Sequence, residues 1–417
     1  MVDISANTQL NADMEPGLRP SLPPPTIETG VIGWLRHNLF SSWVNAVLTV
    51  LALYIVYLIL PPLLSWAVFN ATWRMPTDHQ PGFADCRANS GACWIFVEAR
   101  FPQFFYGFYP APNRWRVDIV FVLLAVSVYG LLSERIKHKK YLAIFFFAIF
   151  PPLAFWLLFG GHGIFWPFYA LLHMVLYFFP SLEGSIPGLI SFVDGLGLEV
   201  VETRLWGGFM LTLILSGIGI VFSLPLGVLL ALGRRSNLPV VHMLCVVMIE
   251  FVRGVPLLTI LFMANVMLPF FLPPGVEFNV LLRVLLGVTF FAAAYMAEVV
   301  RGGLQGLPKG QYEGAMAMGL GYWQMIRLII VPQALRIARP GIVNNFISLT
   351  QDTTLVAIVE LYDFLNIVRA GSRDSNWLGT EIEGYAFCAI VYGVLCFGMA
   401  RYSMYLERKL DTGHKKR

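Results

Sequence analysis

Apolar runs long enough to cross a bilayer recur along this chain, and short polar segments with unevenly placed basic residues separate them. A membrane-spanning helix needs about 20 mostly apolar residues to cover a hydrocarbon core of about 30 Å. Val44–Phe69 meets that length, and a polar stretch, 70–116, follows it. Val117–Leu132 and Tyr141–Leu158 form a second and a third run. The loop between them, ERIKHKK (134–140), carries four Lys or Arg in seven residues. Five further runs predict spans: Leu205–Gly233, Met248–Phe270, Val280–Val300, Gly341–Val359 and Ala386–Leu406. The pattern predicts an all-α integral membrane protein of about eight spans.

The segment 160–179 is apolar but short, and Trp166 with Pro167 interrupts its start. It reads as interfacial or re-entrant. Parity supports this reading. If ERIKHKK lies inside, 70–116 and the connector 180–203 lie outside, and RRSN (234–237), 301–339 and the basic tail 408–417 all fall inside. That distribution follows the positive-inside rule, whereas a span at 160–179 would export the tail. Both termini are therefore expected inside. Residues 1–40, polar and Pro-rich at their start, form a flexible tail without the basic n-region of a signal peptide.

Composition agrees with the pattern. Hydrophobic residues make up 57% of the 417 and charged residues 13%, about half the charge of a soluble domain. The net charge of +4 forms no basic stripe interleaved with aromatics, so nucleic acid is not an expected partner. Cys86 and Cys93 bracket a short polar loop, a spacing compatible with a disulfide in an oxidising compartment, with two free thiols as the alternative.

The chain contains no phosphate-binding Gly-x-x-x-x-Gly-Lys-Ser/Thr loop, no Gly-x-Ser-x-Gly elbow and no zinc spacing. No metal is expected, and any ATP must be bound by another chain. His162 and His173 lie beside apolar sequence; each is a polar group at the interface or, as the competing reading, the base of a membrane acyltransferase.

The segment 301–339 is long for a mere connection. Tyr312–Met318 predicts a short helix with small residues at Gly314, Ala315 and Ala317, ended by Gly319 and Gly321. Tyr322–Val331 predicts a second helix stopped by Pro332. Small residues permit close backbone approach, so this pair either enters a groove on a partner or lies on the membrane as an amphipathic hairpin.

Glu313-Gly314-Ala315, Gly319 and Ile329-x-Val331-Pro332 resemble the Glu-Ala-Ala loop of importer-type ABC permease subunits, with matching spacing throughout. Gly314 for Ala and Val331 for Leu are the departures. IEFVRGVPLL (249–258), AYMAEVVRGGLQGLPKGQYEGA (294–315) and NNFISLTQDTTLVAIVEL (344–361) are similar to polar-amino-acid permeases, and the N-terminal extension resembles that of the larger permease of general L-amino-acid importers. The resemblance implies a five-helix type I permease core at 204–407. An extension at 41–203, with three extra spans, precedes it. It also implies a bacterial inner-membrane location, two ATPase subunits carrying ATP and Mg, and a second permease chain, a paralogue rather than a copy. A periplasmic amino-acid-binding protein completes the assembly. The chain itself would hold no cofactor, perform no bond chemistry, and couple to the ATPase through Glu313–Gly319. A secondary amino-acid transporter, or an enzyme using His162, is the alternative.

Thr350, Gln351, Asp352, Thr353 and Thr354 place five polar residues within a predicted span. Such groups either line a substrate path or hydrogen-bond neighbouring helices. Gln351 stands where the family often has Lys. Glu250 with Arg253, and Glu298 with Arg301, have i,i+3 spacing at predicted inner boundaries, as structural ion pairs or as gate residues.

Overall fold

The computed structural model describes residues 30–74, 81–86, 90–133, 136, 139–161, 197–273 and 278–410. His162, His173, the expected interfacial segment beyond residue 161, the connector up to 196 and the tail from 411 lie outside the described residues.

Two compact units divide the chain. One is Met1–Thr72 with Asn89–Ala92; the other is Trp73–Ala88 with Cys93–Arg417. The first contains α1 (Gly30–Asn38) and α2 (Trp43–Leu64). Ser42 caps α2 by accepting the Asn45 N–H at 3.2 Å. Pro61 and Pro62 remove two backbone donors near its end, and the helix widens into a π turn at Ser65–Phe69. No residue of α2 is buried, as suits a helix apolar all round and meant for lipid.

The second unit begins its helices with α3 (Trp94–Tyr106), α4 (Arg114–Leu132), α5 (Lys139–Ile144) and α6 (Phe150–Phe159). Then come α7 (Gly208–Arg234), α8 (Pro239–Gly254), α9 (Leu257–Phe262), α10 (Val280–Gln305), α11 (Lys309–Ala317) and α12 (Tyr322–Met325). The chain closes with α13 (Val331–Asp352), α14 (Phe364–Ser372) and α15 (Glu381–Leu410). Among the described residues β pairing is limited to isolated bridges such as Gly107 with Trp206.

Among the described residues, six stretches are long and apolar enough to span: Trp43–Phe69, Ala111–Leu132, Lys139–Phe159, Gly208–Arg234, Val280–Gln305 and Glu381–Arg408. Two of the eight expected spans take other forms. Met248–Phe270 is not straight, because α8 and the following Leu257–Phe271 meet at 109°. Pro256 forces Val255 out of the helical region, to φ −108° and ψ 135°, and the helix ends there. Gly341–Val359 is not an independent apolar run. It begins ten residues inside α13 and ends in a 3-10 turn, Thr353–Val359, and Asn344, Asn345, Gln351 and Asp352 make it polar.

Close backbone approach holds α7, α10 and α13 together. A Cβ on Gly227 would stand 2.6 Å from the Met296 side chain, and one on Gly303 would stand 2.4 Å from the Ala334 carbonyl oxygen. Glycine removes the obstacle, so dispersion contacts replace the hydrophobic force that lipid does not supply. The N-terminal part of the second unit packs on the rest. Ile95, Phe96 and Phe104 of α3 share one buried cluster with Phe364, Ile367, Val368 and Trp377. Cys86 and Cys93 are joined by a disulfide at the edge of that cluster. The Cys93 N–H donates to Glu383 Oε1 at 3.1 Å, and Arg100 meets Asp374 at 2.5 Å.

Candidate functional site

The short helix α11 presents two unlike faces. Ala315 is buried in a cluster with Met325, Ile326, Ile330 and Ala334, so one face is fastened to the bundle. Glu313, Gly314, Met316, Met318 and Gly319 are exposed, Met318 at 81%. Gly319 ends the helix. Its φ of +75° suits glycine, its N–H donates to the Met316 carbonyl at 2.9 Å, and the Leu320 N–H reaches the Ala315 carbonyl at 3.2 Å. This is the paired hydrogen bonding of a left-handed helix cap. No atom lies within 4 Å of where a Gly319 or Gly314 Cβ would sit.

Side chains from other helices fix α11. Gln311 Oε1 accepts from Gln333 Nε2 at 2.9 Å, and the Arg235 guanidinium lies over the Tyr312 ring and donates to its hydroxyl at 3.2 Å. Sequence spacing did not reveal these ties, because Arg235 and Tyr312 lie 77 positions apart. Pro332 does not stop a helix, as expected from sequence. A π turn at Ile326–Ile330 carries the backbone past the donor it lacks, and α13 continues with Pro332 in its first turn. Ile329 is half-buried beside the same cluster.

The predicted ion pairs are partly re-partnered. Glu298 is the hub: Oε1 accepts from Arg234 at 2.6 Å and lies 3.7 Å from Arg253, and Oε2 accepts from Arg301 at 2.7 Å. The expected Glu298–Arg301 pair is present. The expected Glu250–Arg253 pair is not, because Glu250 takes Arg234 at 2.7 Å and Arg253 turns toward Glu298 and the Tyr295 ring. Arg234 is the last residue of α7 rather than part of a free loop, which brings it between the two carboxylates.

Thr350–Thr354 lies where α13 tightens into the 3-10 turn. Its members part company there. Thr350 and Thr353 are buried, donating to the Phe346 carbonyl at 2.9 Å and the Thr350 carbonyl at 2.8 Å. Gln351 is exposed, Asp352 and Thr354 are half-buried, and the Thr354 hydroxyl donates to the Gln351 carbonyl at 3.0 Å. Asp352 makes no hydrogen bond or ion pair among the described residues.

Just beyond is a fully buried carboxylate that the sequence reading passed over. Asp363 caps α14, accepting from the Leu365 and Asn366 N–H groups at 3.2 Å each, from the Asn366 side chain, and from the Tyr392 hydroxyl at 3.1 Å. Asn366 also donates to the Thr354 carbonyl at 2.9 Å, and the Phe364 N–H donates to Thr212 Oγ1 at 3.0 Å. Burial pushes the Asp363 carboxyl above its ordinary range, and the hydrogen bonds from Asn366, Leu365 and Tyr392 oppose that. An Asp ahead of an apolar run, LYDFLN, was the available N-cap signal.

A family described as binding-protein-dependent transport system inner membrane component matches residues 223–412. The inner membrane amino-acid ABC transporter permease protein YhdY of Escherichia coli is 45% identical, over 91% of this chain and 93% of that protein. The chain belongs to the amino-acid ABC transporter permeases. A second relative, the glutamate/glutamine/aspartate/asparagine transport system permease protein BztC of Rhodobacter capsulatus, is 41% identical over 94% of this chain and 96% of its own. Among solved structures, that of an amino acid ABC transporter with histidines is 24% identical over 48% of this chain and 92% of that one, with a TM-score of 0.43. A permease of this family is a multi-pass inner-membrane transport component rather than an enzyme; it works with an ATPase, a substrate-binding protein and a second permease.

Proposed function

We propose that this permease forms one half of the path by which an ATP-driven importer moves L-amino acids inward, over a broad range of side chains. Its partners in this reading are two ATPase subunits, a paralogous permease and a periplasmic amino-acid-binding protein. Both termini and α11 face the cytoplasm. The exposed face of α11, from Glu313 to Gly319, docks in a groove of the ATPase and carries its closure to α13 through Gln311–Gln333 and the buried Ala315 cluster. Gln351 and Asp352 line the path, and Thr350, Thr353 and the Asp363 network hold the 3-10 turn that presents them. Glu298 with its arginines ties the inner ends of α7, α8 and α10.

The observation that carries this reading is the two-faced helix α11: nine residues, with Ala315 locked into the bundle and Glu313, Gly314 and Met316 open on the other face. Photo-crosslinking tests it. A crosslinking residue in place of Met318 should capture the ATPase chain in membranes, and that product should be missing when the ATPase subunit is omitted. Capture of lipid alone, with no protein product, would instead make α11 a membrane-lying hairpin.

A further inference from the structure

A cavity of about 300 Å³ opens between the 3-10 turn Thr203–Leu205 and the start of α10. Thr203, Arg204, Phe278, Asn279, Val280 and Arg283 line it; these described residues include two guanidinium groups and no carboxylate. Neither arginine has an acidic partner among the described residues. Arg283 donates Nη1 to the Asn265 carbonyl at 3.0 Å, which fixes the guanidinium, while its Nε is buried without a partner among the described residues. Arg204, exposed on the turn Thr203–Leu205, also lines the cavity.

The start of α10 adds to the positive potential, and Glu202, next to Thr203, opposes it. Asn279 caps α10 by accepting the Leu282 N–H at 2.8 Å, so the cavity lies at the positive end of a 26-residue helix. Two like charges facing one space repel each other, and an anion that enters removes the repulsion while filling unused donor positions. The volume is at the small end of ligand sites, where a single amino acid fits and a large cofactor does not.

We infer that this cavity binds an acidic amino acid, with one guanidinium on the α-carboxylate and the other on the side-chain carboxylate. The inference rests on the amino-acid import proposed above, under which Thr203–Leu205 and Phe278–Asn279 lie on the outer side. A ligand therefore meets the cavity before it reaches Gln351 and Asp352. A neutral amino acid supplies one carboxylate and leaves one arginine unpaired; a cationic one adds a third positive charge. The cavity thus sorts by net charge at the entrance, independently of side-chain shape.

The test uses the whole purified complex in nanodiscs, without the binding protein, and measures equilibrium binding of radiolabelled L-glutamate and L-glutamine. L-glutamate should bind more tightly than L-glutamine, and Arg283→Gln and Arg204→Gln should each weaken it about tenfold or more, the value of one charge-assisted hydrogen bond. Arg283→Lys should retain part of the affinity. Arg204→Gln lies on an exposed turn and keeps the test valid if Arg283→Gln assembles poorly. Equal affinity for both amino acids, unchanged by either variant, would overturn the inference. Loss of affinity for the binding protein, with amino-acid binding unaltered, would assign the arginines to protein docking and would also overturn it. A wild-type complex that imports no amino acid at all would remove the proposed function itself, a result separable from the other two.

Discussion

Arg234 and Glu298 lie 64 positions apart, and the guanidinium Nη1 meets the carboxylate Oε1 at 2.6 Å. The contact joins the last residue of α7 to the C-terminal part of α10, and Glu298 shares its second oxygen with Arg301. Glu298 is only 16% exposed, so its loss leaves three arginines short of one common partner. Glu298→Gln should lower the stability of the purified complex by about 1–3 kcal/mol, as expected for breaking a partly buried ion-pair network. Glu250, at 53% exposure, should matter less, and Glu250→Gln should cost under about 1 kcal/mol. Thermal unfolding in detergent compares them, and equal shifts would deny Glu298 its central place.

Gly319 separates two constraints that a bulky substitution would confound. Its surroundings are open, but its φ of +75° is unfavourable for a side chain. Gly319→Ala should cost about 1 kcal/mol at the helix cap and reduce uptake partly, with Gly319→Asn milder. Gly319→Trp should leave the chain in the membrane and abolish both uptake and stimulated ATP hydrolysis, because the ring would occupy the proposed docking face. Normal uptake by the Trp variant would remove α11 from the coupling mechanism.

Asp352 has no partner among the described residues, whereas Thr350 and Thr353 are spent on backbone carbonyls. Asp352→Asn should therefore assemble and hydrolyse ATP normally, yet change uptake of a cationic amino acid differently from that of a neutral one. Gln351→Lys adds a positive charge nearby and should disfavour cationic substrates. Uptake of both substrates, normalised to complex in the membrane, reads the effect. Equal scaling of both in both variants would mean that the cluster does not read charge.

The disulfide between Cys86 and Cys93 closes a short loop against the cluster that α3 shares with α14 and α15. On the chain-entropy account, a loop this short contributes about 2.5 kcal/mol. Replacing both cysteines by Ser should lower the thermal midpoint, and a reductant should lower that of the wild type equally while leaving the variant unmoved. A reductant effect that survives in the double variant would point to a different thiol.

Asp374 adds an acid-sensitive tie to the same layer. The Asn376 N–H and then the Arg100 guanidinium hold its carboxyl below the ordinary carboxylate range. A depressed carboxyl contributes stability above its unfolded pKa and loses it as pH falls through the folded one. The stability gap between wild type and Asp374→Asn should therefore be present at neutral pH and close on acidification below the ordinary carboxylate range. Thermal midpoints across pH measure it, and a gap that widens in acid would contradict the pairing.

Composition and the neighbours along the chain were enough to place part of this architecture. Hydrophobic length marked the long helices, because a bilayer imposes one length on every span. Gly319 marked the end of α11, because a helix cap is a matter of a few successive residues, whereas Pro332 did not mark the end of the helix after it. The i,i+3 spacing found the Glu298–Arg301 pair for the same reason. Only the tertiary structure decided the contacts between distant positions. It gave Glu250 to Arg234 rather than to Arg253, set Tyr312 under Arg235, and gathered Asp363, Tyr392 and Thr212 into one buried network. It also bent the chain by 109° after Gly254 and brought Arg204 and Arg283 to one cavity. Local rules rank the neighbours a residue has within one turn of helix. Which charge a side chain meets across the bundle depends on where the helices cross, and the glycine contacts at Gly227 and Gly303 set that crossing.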